Sequence, residues 1–240
     1  MNKLITFATI RNFAYINDAI VTKPIRGIVL NFFGLNNRDM FDDETAEGEY
    51  FGERGILYVH PYNNPWNWMN RQAIAYTDEI LDVLIDALKL DEQIPIVSTG
   101  GSMGGLSALV YTYYAKRTPV ACVTNCPVCD MPFHLTERPD LPRTLYSAFW
   151  HEEGDIAQVL EAYSPLHLAP KMPDIPYHIF HCTADKSVNI DKHSRRFVDA
   201  MHENGRDVTF IAVPDRAHCK LPYAVKKQYK EIAASAILNH

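Results

Sequence analysis

The sequence predicts an α/β fold in which a mostly parallel sheet is covered by helices on both faces. Short apolar runs that end in turn residues alternate along the chain with segments of helical spacing, as in β–α–β units. These runs are nearly continuously apolar, which is typical of parallel strands buried on both sides. The length of 240 residues, without an internal repeat or linker, favours one domain over residues 1–240.

The first half of the chain begins with two segments of alternating polarity, residues 5–10 and 14–21, which predict antiparallel strands at a sheet edge. Residues 25–33 and 55–60 are apolar runs and predict the first two buried strands. Residues 73–89 place apolar side chains at helical spacing and predict a long helix.

The second half of the chain continues the alternation of strand and helix. The predicted strands are residues 96–99, 120–125, 177–182 and 208–213, and the predicted helices are residues 106–115, 191–204 and 224–238. Residues 126–173 are rich in proline and aromatic residues and show no strand pattern. We expect this segment to form a helical insertion or lid over one edge of the domain, before the strand at residues 177–182.

Composition excludes several classes of function. The formal charge of −6, without a basic cluster, argues against nucleic-acid binding. No apolar run reaches the roughly 18 residues that span a bilayer, and polar residues interrupt any leader near the N-terminus. We therefore expect a cytoplasmic protein without a membrane partner. No pattern indicates an oligomeric state.

The five cysteines predict reduced thiols, because their number is odd and their spacing is uneven. Cys126 and Cys129 form a C-x-x-C, but no second ligand pair follows at a spacing suited to zinc. His178, His181 and Cys182 would become ligands only if the fold brought them close. We expect neither a metal nor a cofactor.

Gly100-Gly101-Ser102-Met103-Gly104 is a G-x-S-x-G motif between a predicted buried strand and a predicted helix. In this context the serine occupies a sharp turn at the carboxyl end of the strand, and glycines allow strand and helix to approach closely. A serine hydroxyl also needs a base and an orienting carboxylate to become nucleophilic. Asp185 and His218 follow two later strands, where such groups are required.

The G-x-S-x-G elbow, the Thr183-Ala184-Asp185 segment and the Asp215-Arg216-Ala217-His218 segment together resemble the α/β-hydrolase fold, in particular its esterase and prolyl-oligopeptidase-like branch. The resemblance covers nearly the whole chain in element order. It implies Ser102 as nucleophile, His218 as general base and then acid, and Asp185 as the residue that orients His218.

Other candidates for the acid and the base remain open. Asp130 follows the strand before the insertion, a position that some relatives use for the acid, whereas Asp215 more simply shapes the loop that carries His218. His60 ends a strand and could line the pocket, but it comes too early in the chain to be the base in this order.

An oxyanion hole requires two backbone N–H donors. The resemblance assigns one to Met103, the residue after the nucleophile, and the other to the loop after the first parallel strand, at Leu35 with Gly34 as the alternative. Phe33 stands where relatives commonly have histidine, a departure that leaves the backbone donor in place.

Aromatic residues after the second parallel strand are candidates for the substrate pocket, because ligands bind at this carboxyl edge in such sheets. They are Tyr62, Trp66 and Trp68. Phe149 and Trp150 of the predicted insertion are further candidates. The alternative is that these side chains only pack beneath the lid.

These features predict a serine hydrolase that cleaves a small-molecule carboxylic ester through an acyl-enzyme. One alternative is a prolyl-oligopeptidase-like peptidase for short peptides, although such enzymes usually carry a large N-terminal domain for which 240 residues leave no room. Another is a catalytically inactive hydrolase fold kept for binding. A thioester or lactone hydrolase, or an acyltransferase, would keep the same triad, because the pocket chooses the acceptor.

Overall fold

The computed structural model describes residues 3–41 and 45–240. Its sheet has seven strands in the order β1-β3-β2-β4-β5-β6-β7. The strands are β1 (Ala14–Ile16), β2 (Gly27–Phe32), β3 (Ile56–Pro61), β4 (Ile96–Gly101), β5 (Ala121–Asn125), β6 (Tyr177–Cys182) and β7 (Val208–Val213). Only the β1–β3 pair is antiparallel among these strands. The predicted α/β-hydrolase architecture is confirmed.

Helices cover both faces of the sheet. They are α1 (Ala46–Gly52), α2 (Arg71–Leu88), α3 (Met103–Tyr114), α4 (Met131–Glu137), α5 (Leu141–Phe149), α6 (Ile156–Ala162), α7 (Pro165–Leu168), α8 (Arg196–Glu203) and α9 (Tyr223–Leu238). One core cluster contains Ile28 and Leu30 of β2, with residues of α2, α3 and α8. The intervening Val29 belongs to the opposite cluster, with residues of α1 and α9. This alternation is what a strand buried on both faces requires.

The N-terminal segment differs from its prediction. Residues 5–10 do not form a strand, because Thr9 Oγ1 accepts a hydrogen bond from the Thr6 amide (3.0 Å) and donates one to the Leu4 carbonyl (2.7 Å). These local bonds close a turn that leads into a 3₁₀ turn at Ile10–Asn12. Side-chain hydroxyls that bond to nearby backbone compete with strand pairing in this way.

Asn17 explains why the second predicted strand is shorter than residues 14–21. Its fully buried side chain donates to the carbonyl oxygens of Gly48 (2.8 Å) and Ile56 (3.2 Å), and its Oδ1 accepts from the Tyr58 amide (2.7 Å). The Asn17 side chain thus occupies backbone groups of Ile56 and Tyr58 on β3 that a longer β1 would otherwise pair with. The chain then leaves the sheet at Asp18–Ile20.

The later elements agree closely with the sequence. Strands β6 and β7 have the predicted bounds, and α3 begins directly after Ser102. The helix predicted at 191–204 opens with one π-helical turn, Asp191–Arg195, before α8. Helix α1 was not predicted. No helix within residues 3–41 and 45–240 has the length and apolar character needed to cross a membrane.

The segment between β5 and β6, predicted as an insertion, folds into the helices α4 to α7. Leu141, Leu145 and Leu160 of this segment are fully buried in the larger core cluster. The segment therefore packs firmly on the sheet domain. Its role as a lid stays a prediction.

Candidate active site

Ser102 lies at the turn between β4 and α3, with φ 60° and ψ −127°. Few residues other than glycine adopt a positive φ, and such strain recurs at functional turns. The turn is held by the Ser102 amide, which donates to the Asn125 carbonyl (2.9 Å), and by the Ser102 carbonyl, which accepts from the Gly105 and Leu106 amides (3.0 and 3.1 Å). The strained conformation is thereby fixed by its surroundings.

The two outer glycines of the motif are required by packing. A Cβ on Gly100 would overlap the carbonyl group of Gly104, and a Cβ on Gly104 would overlap the carbonyl oxygen of Phe32 in β2. Strand β4 and helix α3 can meet this closely only without side chains at these two positions.

Tyr229 of α9 braces the turn from the opposite face of the sheet. Its hydroxyl accepts a hydrogen bond from the Gly100 amide (3.1 Å) and donates one to the Val123 carbonyl of β5 (2.7 Å). The C-terminal helix therefore contributes directly to the position of the strand that carries Ser102.

Asp185 and His218 follow β6 and β7, which pair in parallel, so both lie at the same edge of the sheet. The Asp185 side chain is fully buried, and its Oδ2 accepts a hydrogen bond from His218 Nδ1 at 2.6 Å. Its Oδ1 accepts from the backbone amides of Ser187 (2.8 Å) and Val188 (3.0 Å). The carboxylate is held rigidly and fixes the ring of His218.

The pKa values of this pair are displaced in opposite directions. Burial alone would raise the pKa of Asp185, but hydrogen bonds from His181, His218 and two backbone amides outweigh burial and hold that pKa well below its usual value. Burial likewise opposes the charged form of His218, but the hydrogen bond to Asp185, with a smaller contribution from Cys126, raises the pKa of His218 to about 9. Asp185 therefore stays ionised and supports an imidazolium beside it.

A cavity of about 480 Å³ opens over Ser102 and His218. Gly34, Leu35 and Trp68 also line this cavity, so the structure brings these predicted residues together with the nucleophile and the base. Its other walls include Phe33, His60, His134, Arg138, Val188 and Cys219.

Of the predicted oxyanion donors, Gly34 and Leu35 line this cavity, whereas Met103 is buried directly after Ser102. Gly34 approaches the elbow so closely that a Cβ on it would be 3.9 Å from Ser102 Cβ, and Met103 is the first residue of α3. Within the described residues, the amides of Leu35 and Met103 make no backbone hydrogen bond. Their role as oxyanion donors stays a prediction that this placement allows.

The other predicted substrate-binding aromatics lie apart from Ser102. Tyr62, Trp66 and Trp150 line a neighbouring cavity of about 400 Å³, which does not include the nucleophile. Phe149 is buried and packs against Tyr163, with ring centroids 4.9 Å apart. Of the predicted aromatic set, Trp68 therefore lines the cavity over Ser102.

The alternative acids lie in other environments. Asp130 caps α4 by accepting from the Phe133 amide (3.1 Å) and pairs with Arg196 (2.5 Å). Asp215 lies in the turn before His218, where its amide donates to Thr183 Oγ1 (3.0 Å). In the described part of the chain, neither carboxylate bonds to His218.

Sequence reasoning missed two polar residues of the cavity wall, His134 and Arg138, because the insertion was predicted to be helical without bounds for any of its helices. Both come from α4 or its end. His134 Nδ1 donates to Glu137 (2.5 Å), and Glu137 also accepts from His193 (2.9 Å). The three-residue spacing of His134 and Glu137 was a visible helical signal, but the sequence could not show that it faces Ser102.

Three clusters bring possible metal-ligating atoms within 4.8 Å of one another in the described structure. They are Cys126–His218–Cys219, Cys126–His181–Asp185 and His134–Glu137–His193. The first includes the candidate base.

Comparison with known proteins gives a consistent result. Residues 45–238 match the prolyl oligopeptidase family (Peptidase_S9). A search of curated protein sequences finds no match. Many solved structures share the fold, including acylaminoacyl peptidase from Pyrococcus horikoshii, with a TM-score of 0.69, 14% identity, and coverage of 88% of this chain and 36% of the peptidase.

Two further structures show the range of these neighbours. A puromycin-hydrolyzing peptidase from Mycobacterium tuberculosis has a TM-score of 0.74 and 16% identity, over 90% of this chain and 35% of the peptidase. A thermophilic esterase from Thermogutta terrifontis, Est2, has a TM-score of 0.64 and 20% identity, over 94% of this chain and 88% of the esterase. The chain thus spans about a third of the length of these two peptidases.

Proposed function

The chain belongs to the prolyl oligopeptidase family of α/β-hydrolase-fold serine hydrolases, and on that premise we propose that it cleaves small carboxylic esters through an acyl-enzyme on Ser102. The observation that carries the proposal is the 2.6 Å hydrogen bond between Asp185 and His218, beside the cavity that Ser102 also lines. A buried, ionised acid that orients a histidine is the arrangement that activates a serine hydroxyl.

In the first half of the reaction, Ser102 Oγ attacks the ester carbonyl carbon and His218 Nε2 takes the hydroxyl proton. The negative charge that develops on the carbonyl oxygen is held by the amides of Leu35, or of Gly34, and of Met103. The tetrahedral intermediate then collapses, and His218 gives its proton to the departing alcohol. Asp185 remains ionised throughout and stabilises the imidazolium.

In the second half, water enters the position that the alcohol left. His218 takes a proton from the water as its oxygen attacks the acyl carbon, and the proton passes to Ser102 Oγ when the carboxylic acid is released. No cofactor takes part in these steps. His218 passes the proton of Ser102 to the alcohol and a proton of the water to Ser102, so both residues end the cycle unchanged.

The cavity supports a substrate of limited size. Its volume of about 480 Å³ is at the lower end for small-molecule pockets, and Phe33, Trp68 and Val188 offer apolar walls. His134 and Arg138 add a polar side that could meet a carbonyl or carboxylate of the substrate. The similarity to Est2, which this chain nearly matches in length, supports an ester over a peptide.

Peptide hydrolysis is the second candidate, favoured by the family match and by the similarity to two peptidases. The two can be separated by measuring kcat/KM for p-nitrophenyl butyrate and for aminoacyl p-nitroanilides. We expect turnover of the ester and little of the anilides. A clear excess of anilide cleavage would overturn the ester proposal.

A fluorophosphonate probe tests the nucleophile and the third possibility, an inactive binding protein. We expect the wild type to be labelled and Ser102→Ala to be unlabelled, with kcat lower by about 10⁴- to 10⁶-fold. Ser235→Ala, at an exposed position of α9, is the matched control and should label normally. Labelling that persists in Ser102→Ala would refute the assignment.

We also propose that the protein acts in the cytoplasm on a small molecule, without nucleic-acid or membrane partners. The five cysteines are free thiols in the fold, which supports a reducing compartment. Fractionation of cells that express the protein would test this location.

A further inference from the structure

We propose that Cys126, His218 and Cys219 form a binding site for a thiophilic divalent cation, represented by Zn²⁺. Cys126 directly follows β5, and the other two residues follow β7, so three separate donors meet at the carboxyl edge of the sheet. The two sulfur atoms and a His218 nitrogen lie within 4.8 Å of one another. Thiolate and imidazole are the donors that zinc prefers in proteins.

The spacing of two of the donors, His218 and Cys219, suits a tetrahedral ion. His218 Nε2 lies 3.7 Å from Cys219 Sγ. With Zn–S of about 2.3 Å and Zn–N of about 2.0–2.1 Å, tetrahedral geometry places neighbouring donors roughly 3.5–3.8 Å apart. An ion therefore fits between His218 and Cys219 with almost no movement of either side chain.

The groups around the donors are also oriented for a metal. His218 donates its other ring N–H to the buried Asp185 carboxylate, as metal-ligating histidines commonly do. Cys126 Sγ accepts hydrogen bonds from the backbone amides of Cys182 (3.3 Å) and Cys219 (3.4 Å). Such amide donors stabilise the negative charge of a thiolate.

The ion can reach this site through the cavity over Ser102. His218 and Cys219 line that cavity, and Cys219 is half-buried, whereas Cys126 is fully buried behind them. Three protein ligands leave the fourth position to water. Both thiols give up their protons to solvent when the ion binds, so binding strengthens as pH rises.

The two other clusters are less suited, because their donor atoms already have strong partners. Glu137 accepts from His134 (2.5 Å) and His193 (2.9 Å), and His193 Nδ1 accepts from two backbone amides. His181 bonds to Ser194 Oγ (2.7 Å) and to the Val188 carbonyl (3.1 Å). The bonds between His218 Nε2 and sulfur are weaker and easier to replace.

Occupancy of the site would inhibit hydrolysis. The bound ion takes the lone pair of His218 Nε2, which then cannot accept the proton of Ser102. This consequence rests on the proposed function, whereas binding of the ion does not.

Binding is tested on the full chain, kept reduced with a phosphine, by titration with Co²⁺ and then Zn²⁺. We expect one Co²⁺ per chain, with a thiolate-to-cobalt charge-transfer band that Zn²⁺ abolishes. Cys219→Ala and, independently, Cys126→Ser should bind about 100-fold more weakly or worse. Cys122→Ser is the matched control, since Cys122 lies outside the three clusters.

Ester turnover is measured in parallel. Zn²⁺ should inhibit the wild type and Cys122→Ser, and a chelator should restore turnover. Cys219→Ala, measured relative to its own metal-free rate, should resist inhibition. Absence of a thiolate–cobalt band, or equal binding by wild type and both ligand variants, would overturn the site. If the wild type binds Co²⁺ as expected but shows no turnover without metal, the metal site stands and the proposed function fails.

Discussion

Asp185→Asn changes one atom of the buried acid and is expected to abolish almost all hydrolysis. In the wild type, Oδ1 accepts from the Ser187 and Val188 amides (2.8 and 3.0 Å), and Oδ2 accepts from His218 (2.6 Å). Asparagine has one carbonyl oxygen for these three donors. Because two amides face one side and one ring N–H the other, the oxygen should stay with the amides and the NH₂ group should face His218.

The size of the effect follows from this orientation. An NH₂ group facing Nδ1 of His218 requires that nitrogen to accept, which moves the ring proton to Nε2. His218 then cannot take the proton of Ser102, and kcat should fall by about 10⁴-fold, or roughly 5.5 kcal/mol in the barrier. The amide bonds to Oδ1 also lose their charge-assisted strength, so unfolding free energy should fall by about 1–3 kcal/mol.

The pH dependence of kcat/KM tests the Asp185→Asn substitution independently. The Asp185 charge raises the pKa of His218 above its usual value near 6.5, so wild-type kcat/KM should rise with pH through a midpoint above 6.5. Removing the charge favours the neutral ring and lowers the pKa of His218. The residual activity of Asp185→Asn should therefore reach its plateau at lower pH than the wild type.

The assay is turnover of p-nitrophenyl butyrate from pH 5 to 10, with unfolding followed in urea. Asp130→Asn is the control, because Asp130 makes no bond to His218 and asparagine can keep the cap that Asp130 gives α4. It should keep nearly wild-type kcat. If Asp185→Asn keeps more than about a tenth of the activity, or Asp130→Asn loses as much, the triad assignment is wrong.

The other predictions concern stability. Gly104→Ala should lower the unfolding free energy in urea by about 1–3 kcal/mol or more, because its Cβ would overlap the Phe32 carbonyl; an unchanged midpoint would contradict this. Burial alone would raise the pKa of Glu137, but hydrogen bonds from His134 and His193 outweigh it and lower the pKa to about 2, against about 4.3 unfolded. The stabilisation that the Glu137 carboxylate contributes is thus full above about pH 4.3 and is lost as pH falls toward 2. The unfolding free energy of Glu137→Gln in urea should therefore be lower than that of the wild type at pH 6, and it should fall less steeply as pH is lowered.

The location of the candidate site could be predicted because it depends on the ends of parallel strands. Apolar runs located β4, β6 and β7, and the residues just after them, Ser102, Asp185 and His218, must then share one edge of the sheet. This prediction needs only the order of strands and helices along the chain. It does not depend on the conformation of any loop.

The walls of the cavity could not be predicted, because they depend on loop conformation. Trp68 and Met69 both have positive φ, 44° and 50°, and at this turn of the chain Trp68 lines the cavity over Ser102 while Trp66 lines the neighbouring cavity. Two successive residues of this kind have no sequence signature. His134 likewise lines the cavity only because α4 packs at the edge of the cavity.

The hydrogen bonds of Tyr229 carry a consequence for the timing of synthesis. During synthesis, β4 and Ser102 leave the ribosome well before His218. They also leave it before α9, whose Tyr229 connects β4 and β5 by hydrogen bonds. Bringing together residues so far apart in sequence also has a larger cost in loop-closure entropy. Under the proposed function, we therefore expect activity only after β7 and α9 have packed on the sheet and brought His218 and Tyr229 to their positions near Ser102.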